Sequence, residues 1–304
     1  MPASPNGTSR RLTPPPPEAS QNGHDHAETN GSALNGHHVE PNGSALNGHH
    51  VEPNGSVLST RALEPAEETT RGQVWTPEAL DQVALELEPL GPEATLEWMV
   101  EQFHPSLYVA CSFQQEESVL LDMLHRIEPG IRIFYLDTDV LFQETYETRD
   151  RLAERYGFDF ERYHNLTLEE QARLHGDELW KRAPDQCCAI RKVEPLKRAL
   201  GSVDAWVTGI RRDQAPTRAN SKKVEWDDKF GLVKANPLAD WTLDDVWAYI
   251  HANDVPYHPL HEENYPSIGC THCTRPVMPG EDPRAGRWAG QDKVECGLHP
   301  AEAK

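Results

Sequence analysis

The stretch SLYVACSFQQEESVLLDMLHRI, residues 106–127, changes its period halfway along. Its first eight residues form a short apolar run that reads as a buried strand. From Glu116 onward the apolar residues recur at helical spacing, with acids at the front. Between the two lies the polar turn Ser112-Phe113-Gln114-Gln115. A strand entering a helix through such a turn opens a βα unit. The unpaired N–H groups of the first helical turn, together with the helix dipole, make the turn a place for an anion.

The same alternation continues on both sides. Thr76-Pro77-Glu78 carries the marks of a helix start: a capping hydroxyl, Pro at the first helical position and an acid in the first turn. IRIFYLDT (131–138) reads as a second strand, QETYETRDRLAERYG (143–157) as a helix closed by Gly157, and FDFERYH (158–164) as a third strand. Helical regions follow over 167–180 and 189–200. AWVTGIR (205–211) is a fourth strand, GLVKANPL (231–238) a fifth, and TLDDVWAYIHAND (242–254) a capped amphipathic helix. This order predicts an α/β fold: a mostly parallel twisted sheet with helices on both faces. Ligands of such sheets bind beyond the carboxyl ends of the strands, so the loops after the strands are where chemistry is expected.

Residues 1–72 are of another kind. They are rich in Pro, Gly, Asn, Ser and His, and NGSALNGHHVEP at 30–41 repeats unchanged at 42–53. No Phe, Tyr or Trp precedes Trp75. Such a segment buries too little apolar surface to offset its ordering entropy and is expected to be a disordered tail. It lacks the apolar core of a signal peptide, and no run approaches the length of a membrane span. A cytoplasmic protein is therefore expected, in which cysteines serve metals or catalysis rather than disulfides. The remainder, about 230 residues, suffices for one large core: a domain over 73–290 and a mobile C-terminal segment over 291–304 that carries Cys296.

The 304 residues carry a formal net charge of −20, which argues against nucleic-acid binding. Yet between Lys181 and Lys223 there are eleven Lys and Arg against four Asp and Glu. One concentrated basic stretch in an acidic protein suits a small-anion pocket. The loop after the fourth strand, TGIRRDQAPTRAN (208–220), places Gly209 before Arg211 and Arg212, with Arg218 nearby. That order allows close approach to phosphate or sulfate. Neither GxxxxGK[ST] nor GxGxxG occurs, which excludes a Walker ATPase and a dinucleotide-binding fold.

Six cysteines complete the inventory. Cys111 falls inside the first strand pattern, where a packed core thiol is expected. Cys187-Cys188 and the pair Cys270 and Cys273 in GCTHCT offer four soft ligands from two short segments, suited to Zn²⁺ or an iron–sulfur cluster. Cys296 stands in KVECGLHP (293–300), a stretch too short and polar to pack a core.

Together, CCAIRKVEPLKRAL, TGIRRDQ, GCTHCTRPV, EDPRAGRW and ECGLH resemble assimilatory adenylyl-sulfate reductase, the iron–sulfur branch of the phosphoadenylyl/adenylyl-sulfate reductase family. The resemblance covers roughly residues 75–300. It implies an adenine nucleotide α-hydrolase-like fold, in agreement with the element order. It further implies that Cys187, Cys188, Cys270 and Cys273 ligate a [4Fe–4S] cluster and that Lys192 lies between cluster and substrate. Arg284 and Arg287 would hold the phosphosulfate, while Ser112, Phe113, Gln114, Leu136, Gly209 and Arg211 line the nucleotide site. The first loop departs from the pattern: relatives often carry glycine where this chain has Gln114-Gln115.

The expected reaction is thioredoxin-dependent reduction of adenylyl sulfate to sulfite and AMP in sulfate assimilation. Cys296 acts as the nucleophile and is sulfonated, and His299 lowers its pKa or orients the segment. The 3′-phosphorylated substrate, or use of both, is the alternative, and a homo-oligomer is left open. Two rivals fare worse. A tRNA thiolation enzyme of the same nucleotide-binding superfamily would show an SGGxxS-type loop, which SFQQEES is not. A zinc or iron–sulfur redox sensor would leave the basic stretch and the ECGLH segment without a use.

Overall fold

A computed structural model of the chain describes residues 75–291, 293 and 295–298. The expected tail over 1–72 and the candidate His299 lie outside the described residues.

The described residues begin with two helices, α1 (Pro77–Leu87) and α2 (Pro92–Phe103). Thr76 caps α1 by accepting from the Ala79 N–H at 3.2 Å. Strand β1 (Leu107–Ala110) then leads into α3 (Gln115–Ile127), β2 (Arg132–Leu136) into α4 (Gln143–Tyr156), and β3 (Phe160–Tyr163) into α5 (Leu168–His175). Gly157 closes α4 in the left-handed region, at φ 74°. Two short helices, α6 (Leu179–Arg182) and α7 (Pro184–Cys188), precede a π-helical turn over Ala189–Val193 and α8 (Glu194–Leu200). Strands β4 (Ala205–Val207), β5 (Val224–Asp227) and β6 (Leu232–Ala235) follow, then α9 (Leu243–Asn253).

The strands form one sheet in the order β3-β2-β1-β4-β6-β5. All neighbours are parallel except β5 and β6. The expectation of a mostly parallel sheet holds, with one strand more than the sequence indicated. Val224–Asp227 is only four residues long and carries two acids, so its strand period is faint. It is an edge strand, paired Val224 to Ala235 and Asp227 to Leu232. The helical regions expected over 167–180 and 189–200 are broken into shorter pieces, and α2 was not anticipated.

The strand period of two sorts the core onto two faces. Leu107, Val109, Ile133, Tyr135 and Val207 point into the larger core with residues of α1, α2, α3 and α9. Tyr108, Phe134 and Trp206 point the other way, onto Leu196, Ala199 and Leu200 of α8. Cys111 is part of the larger core, as expected, and burial pushes its thiol well above the usual range.

Candidate active site

Strands β1 and β4 are adjacent, and from them the chain proceeds to opposite sides of the sheet. That is a topological switch point, and a cleft of about 540 Å³ opens at the carboxyl ends of these strands. Ser112, Gln114, Leu136, Gly209 and Arg211 all line it.

The loop after β1 turns on Phe113, whose φ of 61° lies in the left-handed region that few non-glycine residues adopt. Its ring is buried, edge-on to Tyr135 and Phe160 at 5.4 and 5.1 Å between centroids. The ring thus anchors the turn, and Phe113 faces the cleft by way of its backbone conformation. Ser112 donates to Glu117 at 2.9 Å, and the Gln114 amide donates to Ser112 at 3.0 Å. Gln114 Oε1 also accepts from the Ile268 N–H at 2.6 Å, tying the loop to the segment before Cys270.

Two acids stand at the start of α3. Glu116 is buried and paired with Arg211 at 3.1 Å, with Gln214 donating to it at 3.0 Å. No cation among the described residues pairs with Glu117: burial, and then the neighbouring Glu116, push its carboxyl up to about 8. At neutral pH it is mostly protonated, so the helix start keeps its attraction for an anion. Arg211 is spent largely on Glu116 and Asp213, so its charge is neutralised within the protein.

The opposite wall is cationic. Arg218, Arg284 and Arg287 line the cleft together with Lys192 and Cys296. Arg287 donates to Ser267 Oγ at 3.0 Å and to the Ile268 carbonyl at 3.1 Å. It passes so close to Gly269 that a Cβ there would lie 2.4 Å from Nη2. Arg284 meets Glu295 at 3.2 Å, and burial draws its guanidinium below the usual value.

A second, smaller cavity adjoins the cleft, lined by Cys187, Cys188, Cys270 and Cys273. Lys192, Arg287 and Trp288 line both. Cys187 and Cys188, at the end of α7 where the chain enters the π turn, both line this cavity. Thr138 Oγ1 lies 3.3 Å from Cys270 Sγ. Burial raises the Cys187 and Cys188 thiols, and it raises Cys273 to about 11; nearby thiols add to this for Cys187 and Cys273. Lys192 is affected in the opposite sense. Burial would lower it, but Cys270, Cys296 and Cys188 outweigh this and hold its ammonium above the usual range.

Among the described residues, no group of three or more His, Cys, Asp or Glu side chains is set to hold a metal ion as it stands. The donor chemistry nonetheless suits a four-thiolate centre. Around Cys187, Cys188 and Cys273 the neighbouring thiols oppose ionisation, a conflict that a bound cationic centre removes. Two buried donors beside the cavity, Arg191 Nη2 and Arg287 Nε, have no hydrogen-bond partner among the described residues. Anionic sulfur would satisfy both.

The structure therefore gathers the candidate residues, His299 apart, around two adjoining cavities. It adds Glu117, Thr138, Trp288 and Glu295, to none of which the sequence reading gave a role. Each had a signal: Glu117 stands at the helix start after β1, Thr138 lies in the loop after β2, Trp288 ends EDPRAGRW and Glu295 opens ECGLH. Trp241, Trp247 and Tyr257 pack against the larger core.

A mostly parallel sheet with a cleft at the switch point of its strand order is the arrangement of an adenine nucleotide α-hydrolase-like protein. The phosphoadenosine phosphosulfate reductase domain matches residues 106–276. The adenosine 5'-phosphosulfate reductase of Staphylococcus haemolyticus is 46% identical over 226 residues, covering 73% of this chain and 93% of that one. That of Shouchella clausii is 51% identical over 206 residues, covering 67% and 86%. Among solved structures, the phosphoadenylyl-sulfate (PAPS) reductase of Candida auris, in a phosphate complex, is 34% identical with a TM-score of 0.60. The match covers 67% of this chain and 99% of that one. The chain belongs to the phosphoadenylyl/adenylyl-sulfate reductase family.

Proposed function

We propose that the protein reduces adenylyl sulfate to sulfite and AMP, with thioredoxin as the dithiol donor and an S-sulfonate on Cys296 as the intermediate. One observation carries this reading: Cys296 lines the same cleft as Lys192, Arg284 and Arg287. A sulfuryl group is shielded by negative oxygens, so attack on its sulfur needs a soft anionic nucleophile and cations to mask the charge. The Cys296 thiolate attacks the sulfur, the bond from sulfur to the phosphate oxygen breaks, and AMP leaves with that electron pair. An external thiolate then attacks Cys296 Sγ. Sulfite departs with the S–S bonding pair, and the second thiol of the donor resolves the mixed disulfide.

In this reading the β1 loop and the start of α3 receive the nucleotide, and Arg284 and Arg287 hold the phosphosulfate. Cys187, Cys188, Cys270 and Cys273 would hold a [4Fe–4S] cluster, which when bound supplies a fixed charge beside Lys192 and the arginines. Lys192, lining both cavities, carries positive charge toward the developing anion. Adenylyl sulfate is favoured over its 3′-phosphorylated form because the relatives named for it reach 51% identity. The phosphoadenylyl-sulfate reductase structure stands at 34%. We place the reaction in the cytoplasm: all six cysteines are free. No helix among the described residues is long and apolar enough to cross a membrane.

The test is intact and peptide mass spectrometry after mixing the protein with adenylyl sulfate and no thioredoxin. One SO₃ on the peptide carrying Cys296, removed by thioredoxin, is the expected result. An adduct with only the 3′-phosphorylated substrate would reassign the substrate. No adduct with either, from protein that holds iron, would overturn the reading.

A further inference from the structure

The segment carrying Cys296 is fastened to the body of the protein on both sides of the thiol. Lys293 pairs with Asp185, and its ammonium lies 5.4 Å from the Trp288 ring centre. Gly297 accepts from Lys229 through its carbonyl. Leu298 packs against the smaller core.

The contact of Glu295 differs from these. Its carboxylate accepts from Arg218 Nε at 3.1 Å and Nη2 at 3.0 Å, from Thr217 Oγ1 at 3.2 Å and from Arg284 Nη2 at 3.2 Å. The side chain is 9% exposed, and that of Arg218 13%. Burial alone would raise this carboxyl, but the Arg218 hydrogen bond and charge hold it below the usual range. Charge-assisted bonds are the strong ones, and removing one member of a buried set leaves the others uncompensated.

We propose that Glu295 is a positioning residue that latches the nucleophile-bearing segment over the cleft by clasping Arg218 and Arg284. This rests on the proposed reaction for its purpose, because Cys296 must face the nucleotide in one step and an external dithiol in the next. A carboxylate adjacent to the thiol controls that choice at one point. Its partners are cleft-wall arginines, so the clasp and the bound anion draw on the same positive charge. Release of the segment for the second step therefore requires breaking these bonds.

The experiment has a readout independent of turnover. Trypsin cuts after Lys293 only when the segment leaves the surface, freeing residues 294–304. In full-length protein without substrate, Glu295→Gln and Arg218→Gln are each expected to speed release of this peptide about tenfold, the shift that loss of one or two charge-assisted hydrogen bonds produces. Glu295→Asp, which keeps the charge, should fall between. Single-turnover sulfonation should slow in Glu295→Gln while sulfite release to a small dithiol does not. Unchanged protection of the peptide in both Gln variants, with melting temperatures like wild type, would overturn the latch. The two readings fail separately. If wild type forms no adduct, the reaction is wrong, yet the proteolysis still judges the latch. If the adduct forms at equal rates in all variants, the latch is wrong and the reaction stands.

Discussion

Glu117 occupies the space that a side chain on Gly209 would need. A Cβ at Gly209 would lie 2.6 Å from Glu117 Oε1 and 2.9 Å from Glu116 Cβ. The first turn of α3 and the loop after β4 thus meet at the floor of the cleft, with no room between them. Gly209→Ala must push one of them away. It is expected to cost about 1–3 kcal/mol, as overpacking of a filled site does, and to weaken nucleotide binding. Thermal unfolding and a titration with AMP measure both; unchanged affinity would show that the loop moves freely.

Glu117 itself makes folding sensitive to alkali. Its carboxyl, pushed up to about 8, binds a proton in the folded state that the unfolded chain releases above its ordinary pKa of about 4.3. Its contribution is therefore fully present below pH 4.3 and is lost as pH rises through 8. Glu117→Gln removes the ionisation while keeping the shape. Urea unfolding should find the variant gaining on wild type between pH 6 and pH 9. Parallel curves would place the proton elsewhere.

His258 works at the other end of the scale. Its Nε2 lies 3.0 Å from Thr145 Oγ1, and its Nδ1 accepts from the Leu260 N–H at 3.3 Å. A protonated ring would aim an N–H at that amide. Burial, then His261 and Arg151, lower its pKa to about 3. The unfolded chain binds the proton first, so this stability is present above pH 6.5 and is lost as pH falls toward 3. Between pH 6.5 and 5 the loss is about 2 kcal/mol, at 1.4 kcal/mol per unit. His258→Gln should flatten that slope in urea titrations.

Lys192→Gln tests the bridge between the two cavities. Loss of one preorganised charge in such a site costs on the order of 10²-fold in rate. In the proposed reaction, S-sulfonate formation on Cys296, followed by quenched mass spectrometry, should slow by that factor, while any iron bound at the four cysteines is held as in wild type. Normal sulfonation would remove Lys192 from the chemistry.

Much of this was legible in the sequence for simple reasons. Five strands carried clear apolar runs, and the helix at 242–254 announced itself by its cap. The loops after β1, β2 and β4 were marked because parallel sheets bind ligands there. Val224–Asp227 escaped because a short charged edge strand has little period to show. Arg211 reads as a bare charge in the sequence, because its partner Glu116 is nearly a hundred positions away. Glu295 passed unnoticed for the same reason: its significance lies in Arg218 and Arg284, and only folding brings them together. The two cysteine pairs were visible, and so was the need for the backbone to bend at the adjacent pair; the π turn that follows it was not, since five residues of ordinary composition give no sign of it.

The π turn over Ala189–Val193 fixes a phase. A π turn holds about one more residue than an α turn, so removing one residue from it would turn Cys187 and Cys188 by about 100° relative to α8. The side of the chain on which the adjacent cysteines stand is set by the residue count of this one turn.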